Sequence, residues 1–270
     1  MYISPRRLLD QITLVHGPRD LLAQYFALAD AKLERLGLRA RLRTDFDTLL
    51  DVSEQNRSSW PPLIHTLDPR HSVLRIDTAY WLEVINDKAE PVAIHAGRLF
   101  DWPDTDLMEE VKSLRVFYAD PAPHLARGEG AKSDAPRFAP PGSLNMFGGA
   151  VWVHPDYRAQ GLGALVPRIS RAYGYTRWQP GFFWMVTEPK TFKGGLIRAV
   201  GPFELVSQLT TRLEWRGDLE LLLMSMDAAA FLDDLQAQLD QATRSSSRRI
   251  ETHSIQASRP GPRSGMSSRS

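Results

Sequence analysis

Cysteine is absent from all 270 residues. That excludes a disulfide framework, a thiol nucleophile and any thiolate metal site, and it suits a reducing, cytoplasmic setting. Long apolar runs are missing too. No stretch approaches the roughly 20 residues needed to span a bilayer, and Met1-Tyr2-Ile3-Ser4-Pro5-Arg6-Arg7 is followed by broken apolar segments rather than the core of a leader peptide. No membrane partner is expected. An excess of one charge is lacking as well: 33 Lys+Arg against 32 Asp+Glu leave a net charge of +1, so nucleic acid is not expected as a partner either. The seven histidines are scattered without His-Glu-x-x-His or a comparable ligand spacing, so no metal is expected. A Gly-x-Ser-x-Gly elbow, a P-loop and an internal repeat are likewise absent.

What is present is a chain with 43% hydrophobic and 24% charged residues, long enough to bury a substantial core without covalent staples. Leu21, Leu22, Tyr25, Phe26, Ala29 and Leu33 share one helical face, which predicts a helix from Pro18 to Leu36 stopped at Gly37. A strand is read over Leu38 to Arg43, and a helix capped by Asp45 and running toward Gln55 follows. Leu74 to Asn86 and Glu90 to Phe100 read as an antiparallel hairpin turned at Asn86-Asp87-Lys88. Thr105 to Phe117 is a short helix, and Pro121 to Pro141 a loop or insertion rich in proline and glycine. Strands over Leu144–Val153 and Gly181–Thr187 flank a helix from Gly161 to Tyr173. A weak helix over Thr191–Val200, strands over Phe203–Trp215 and Leu219–Met226, and a helix over Ala228–Ala242 complete the pattern. The order predicts an α/β fold: a mixed, mostly antiparallel central sheet flanked by helices in a three-layer α-β-α sandwich. The expected organisation is an N-terminal helical extension over 1–37, one domain over 38–240 and a disordered Ser/Arg-rich tail over 243–270.

Chemistry concentrates in Gly149-Ala-Val-Trp-Val-His-Pro-Asp-Tyr-Arg-Ala-Gln-Gly-Leu-Gly-Ala-Leu165. A buried strand ends at Val153, and Pro155, which has no N–H, stops the ladder. Two glycines, Gly161 and Gly163, then lead straight into a helix, whose first amides have no intrahelical partners and sit at the positive end of its dipole. That is an anion site suited to a phosphate or pyrophosphate; taken alone, Gly-x-Gly is equally a tight turn with no ligand.

The run from Val153 to Ala164 resembles motif A of the GNAT (GCN5-related N-acetyltransferase) superfamily, with Arg158, Gly161 and Gly163 in register with its Gln/Arg-x-x-Gly-x-Gly/Ala pattern. The resemblance implies the GNAT, or acyl-CoA N-acyltransferase, fold. It also implies acetyl-CoA as cosubstrate, an amine as acceptor and direct attack in a ternary complex. The pantetheine arm would lie between the strand ending at Val153 and the strand Phe182 to Val186, against main-chain groups of Val151, Trp152 and Val153. The pyrophosphate would lie on Arg158, Ala159, Gln160, Gly161, Leu162, Gly163 and Ala164. A homodimer stays open.

Two carboxylates are candidates for the base. Glu83 is either a partly buried base on a central strand or a solvent-facing strand carboxylate; Glu188 either faces the cleft or is a loop residue before Pro189. His154 reads as a strand-end structural residue. Trp152, Trp178 and Trp184 are either acceptor-pocket walls or core. The sequence departs from the family at the acid: aligned on Gly201, Lys190 falls at the usual Asn and Ile197 at the usual Tyr. Gly194-Gly195 weakens that helix by about 1 kcal/mol per glycine, and Pro167, past the first turn of the motif helix, would remove a backbone bond and kink it. These departures keep a second reading open, a non-catalytic acyl-CoA-binding or protein-interaction module on the same scaffold.

Overall fold

The computed structural model describes residues 7–135, 138, 143–214 and 216–257. A helix α1 (Arg19–Arg35) precedes β1 (Arg39–Arg43) and α2 (Phe46–Gln55). The hairpin β2 (Ala79–Ile85) and β3 (Pro91–Phe100) follows, then α3 (Leu107–Lys112), α4 (Ala122–Ala126) and β4 (Gly130–Ser133). Next come β5 (Asn145–Val153), α5 (Leu162–Trp178), β6 (Phe182–Thr187), α6 (Pro189–Lys193), α7 (Leu196–Val200), β7 (Glu204–Leu213), β8 (Gly217–Asp227) and α8 (Ala228–Ala257). No described helix is long and apolar enough to cross a membrane.

The strands form one sheet in the order β1-β2-β3-β5-β6-β8-β7-β4. Every neighbouring pair is antiparallel except β5 and β6. Strand alternation sends successive side chains to opposite faces, and both faces of β2 are covered. Tyr80, Leu82 and Val84 join Tyr25, Phe26, Leu33, Ile169 and Phe231 in a core beneath α1, α5 and α8. Ala79 and Trp81 join Leu49, Val111, Phe147 and Trp184 in a second core beneath α2 and α3. The sheet is therefore the middle of three layers, as the element pattern predicts. The predicted N-terminal extension supplies α1, which packs into the same core as α5.

Five local expectations need correction. The segment read as a loop or insertion holds α4 and β4; β4 pairs with β7 at the sheet edge. Asp45 stands at the N-cap of α2 without capping it: its carboxylate is taken by Arg43 (2.6 Å) and Thr48 (2.7 Å) instead. The motif helix runs from Leu162 to Trp178, past the expected end at Tyr173, with Pro167 inside it. The final helix continues to Ala257 rather than stopping near Ala242; the remainder of the predicted tail, 258–270, lies outside the described residues, as do residues 1–6. The weak helix over Thr191–Val200 is two short helices, divided where Gly195 takes a φ of 77°.

Candidate active site

The site begins with an interruption in the sheet. β5 and β6 run parallel and pair only through Asn145–Phe182, Met146–Phe183 and Phe147–Trp184. Beyond Phe147 they separate. Against β3 the register of β5 also slips: Gly149 lies opposite Ala96 and Trp152 opposite Ile94, so Ala150 and Val151 together face His95. Ala150 carries a φ of 55° there. Such a bulge bends its strand and re-aims its side chains. The two devices leave an opening in the centre of the sheet.

The opening is a cavity of about 240 Å³ with Ala150 and Val151 on one side, Val186 and Glu188 on the other and Trp60 and Pro61 above. Trp60, Pro61 and Val151 also wall a second cavity of about 430 Å³, which continues past Val153 to Arg158, Gly161 and Gly163. One cleft thus runs from the split strands to the start of α5. Its roof is fixed by aromatic packing: Trp60 stacks on Trp152 at 5.3 Å and 14°, and the Trp152 indole donates to Ser59 Oγ at 3.1 Å.

At the far end, the turn before α5 has the backbone that the two glycines suggest. Ala159 and Gly161 have φ values of 62° and 80°, and nothing lies within 4 Å of where a Gly161 Cβ would stand. Among the described hydrogen bonds, none uses the amides of Ala159, Gln160, Gly161, Leu162 or Gly163. The Ala164 amide, expected among the donors, bonds Gly161 O at 3.1 Å, and the Arg158 amide bonds Pro155 O at 3.2 Å. Five consecutive amides at the positive end of a 17-residue helix remain. The Arg158 side chain reaches back across the turn, donating to Val153 O (3.3 Å) and Ser59 O (3.5 Å). His154 accepts from the Asp156 amide through Nδ1 at 3.3 Å and so braces the strand end, the structural part the sequence suggests.

The two candidate carboxylates part company. Glu188 lines the cleft, with Lys190 at 2.7 Å and Arg216 at 2.6 Å. The hydrogen bond from Lys190, joined by that from Arg216, holds its carboxyl below the usual carboxylate range against a modest desolvation cost. Glu83 is buried on β2, bridged by Arg41 at 2.7 Å and Arg43 at 3.3 Å, and it is not part of the cleft wall. Of the tryptophans, Trp152 walls the cleft, Trp184 is core with its indole donating to Asn145 Oδ1 at 2.8 Å, and Trp178 packs on Tyr80. Ile197 is buried against Met185 and Met224 and has no proton to give; Thr187 and Thr191 supply hydroxyls at the β6 end.

A buried polar trio behind β5 was not singled out from the sequence. His95 Nδ1 lies 2.7 Å from Ser170 Oγ. Ser170 donates to the Tyr80 hydroxyl at 3.2 Å, and that hydroxyl donates to the Ser170 carbonyl. With the Ser170 proton directed at Tyr80, the His95 Nδ1–H is the donor. Burial, reinforced by the charge of Arg171, drives the His95 pKa well below the ordinary value of 6.5, so the ring is neutral. Its only sequence signal is a histidine in an apolar strand.

The sheet combines a parallel, splayed central pair, a bulge on β5 and a glycine turn into the following helix, in the α/β layering the sequence predicts. No family model and no curated relative matches the chain. Solved structures do. They include the aminoglycoside acetyltransferase AAC(6')-Ib in complex with coenzyme A and kanamycin, at 13% identity, a TM-score of 0.40, and coverage of 72% of this chain and 96% of that one. Spermidine N-acetyltransferase SpeG from Vibrio cholerae in complex with CoA and spermine matches at 10% identity and a TM-score of 0.42, covering 73% and 98%. NAA60 of Arabidopsis thaliana in complex with a bisubstrate analogue matches at 9% identity and a TM-score of 0.44, covering 70% and 97%.

Proposed function

We propose that the protein is an N-acyltransferase that moves an acetyl or other acyl group from CoA to an amine. The observation that carries this reading is the single cleft joining a break in the sheet to five uncommitted amides at a helix start. The fit is chemical. The amides and helix dipole suit the pyrophosphate. The separated main-chain edges of β5 and β6 suit an extended amide-bearing arm such as pantetheine, which pairs like an added strand. The residues that hold the cofactor are Val151, Trp152 and Val153 for the arm and Ala159 to Gly163 for the diphosphate, with Arg158 bracing the loop.

With CoA held in this way its thioester would lie at the split between β5 and β6, where this chain supplies three things. Trp60 and Pro61 roof the split and limit water. Glu188, ionised between Lys190 and Arg216, attracts the acceptor amine and takes its proton as the amine attacks. The β5 bulge, where Ala150 and Val151 leave the regular register against β3, is where a main-chain donor would stabilise the developing oxyanion. With Ile197 unable to act, protonation of the departing thiolate falls to Thr187, Thr191 or water.

Ile197 also favours a second reading, a CoA-binding module without turnover. Calorimetry with CoA and an assay of thiol release from acetyl-CoA over a panel of amines separate the two. Binding with release supports the enzyme; binding without release over a broad panel supports the module. Absence of binding, or Gly161→Asp binding CoA as tightly as the parent while keeping its fold, sinks both.

A further inference from the structure

A second cluster lies outside the cleft, on the loop between α2 and β2. His65, Asp68 and His71 form a His-x-x-Asp-x-x-His run, and one ligand atom from each lies within 4.8 Å of the others. A tight turn brings them together: the amides of His71 and Ser72 both bond Asp68 O at 3.0 Å. The loop is anchored by Thr66 Oγ1 donating to Val116 O at 2.8 Å and by Ala119 N donating to His71 O at 2.8 Å. The two imidazoles stack at 3.7 Å and 15°. Tyr118 covers their edges at 5.0 and 5.9 Å, and His124 stacks on Tyr118 at 3.5 Å while standing edge-on to His71 at 6.1 Å.

We propose that His65, Asp68 and His71 bind one divalent transition-metal ion, of the zinc or cobalt type. Two imidazole nitrogens and a carboxylate are a borderline donor set that suits these ions over magnesium or calcium. Asp68 is buried and anionic, held at 2.7 Å by Arg70. Arg70 is half-exposed and also reaches Glu54 at 3.3 Å, so it can yield a carboxylate oxygen without losing every partner. A bound ion needs its ligand atoms roughly 3.3 Å apart and both imidazole lone pairs aimed at one point, so one of the two stacked rings must turn out of parallel on binding, and water completes the shell.

The neighbouring triad of His124, Glu129 and Glu214 is a poorer candidate. The Arg127 guanidinium already occupies it, 3.0 Å from His124 Nδ1 and 3.2 Å from Glu214. Glu129 is also engaged, 2.5 Å from His124 Nδ1 and accepting from the Tyr118 hydroxyl at 2.5 Å, which fixes the ring that lies against the metal ligands. Leu63 and Ile64, just ahead of His65, line the catalytic cleft. A metal on this loop therefore pins one wall of the cleft from behind.

The test uses tag-free, chelator-stripped full-length protein titrated with cobalt(II) and then zinc chloride. One equivalent of cobalt giving a d–d absorption band, displaced by zinc, with a rise in melting temperature that magnesium does not reproduce, is the expected result. His71→Gln should weaken binding by about a hundredfold or more, beyond what loss of an outer partner causes, while His154→Gln leaves it unchanged. No band and no thermal shift, or undiminished affinity in His71→Gln, overturns the proposal. Should His71→Gln fail to fold, X-ray absorption on the wild-type zinc complex decides. A shell with two imidazoles supports the site, and one with fewer overturns it.

Discussion

At the scale of single residues, environment more than type divides the titratable groups. Glu188 and Glu83 are both carboxylates bridged by two cations, yet only Glu188 stands on the cleft. Glu188→Gln removes the proton acceptor and keeps the shape. Thiol release should fall by about 100-fold or more with CoA affinity unchanged, read by steady-state kinetics beside calorimetry. His95 makes a different prediction. Its native pKa is pushed far below 6.5 by burial, while the unfolded chain titrates near the ordinary value. Above that value both states are neutral and nothing is lost. Below it the unfolded state binds a proton that the native state refuses, so stability declines as pH falls, by up to ~1.4 kcal/mol per pH unit. Urea unfolding at about pH 7.5 and about pH 5 should show a smaller loss for His95→Gln than for the parent; equal losses would refute the assignment.

Among the elements, α5 shows how a motif helix is seated. Gly174 faces the sheet, where an added Cβ would collide with the thioether of Met146 and come within 2.9 Å of the Tyr80 hydroxyl. An exposed helical glycine gains about 1 kcal/mol on change to alanine. Gly174→Ala should instead lose about 1–3 kcal/mol by overpacking, measurable as a lower urea midpoint at constant slope. The same contrast explains what the sequence could and could not tell. Helices and strands with strong periodicity, such as α1 and β6, and the Val153–Gly163 turn are legible because local chemistry dictates them. Strand β4, Gly-Ala-Lys-Ser, has no β-branched residue and exists because β7 offers it a partner. The Asp45 cap was lost to a nearer arginine, and Glu83 left the site because burial and two arginines claimed it. The His65–His71 cluster escaped notice because its spacing is unfamiliar and its neighbours Tyr118 and His124 are far away in sequence.

For the whole molecule, one sheet carries two cores. Trp60, Trp81, Trp152 and Trp184 lie on the side covered by α2 and α3, whereas Trp178 and the long helices α1, α5 and α8 lie on the other, so fluorescence is weighted toward the first side. Since every strand of the centre has side chains in both cores, neither side can melt alone. Tryptophan fluorescence and far-ultraviolet circular dichroism should therefore give coincident urea transitions; separated midpoints would reveal two independently folding halves.

The early parting of β5 from β6 gives this sheet a seam in its interior, with main-chain groups along Gly148–Val153 and Met185–Thr187 that a continuous ladder would have sealed. Such a seam opens the middle of the sheet to solvent, and Val151 on it is exposed. A guest threaded along it would act as a missing stitch, so deuterium uptake at those positions should slow on cofactor addition while the outer strands, already closed, keep their rates.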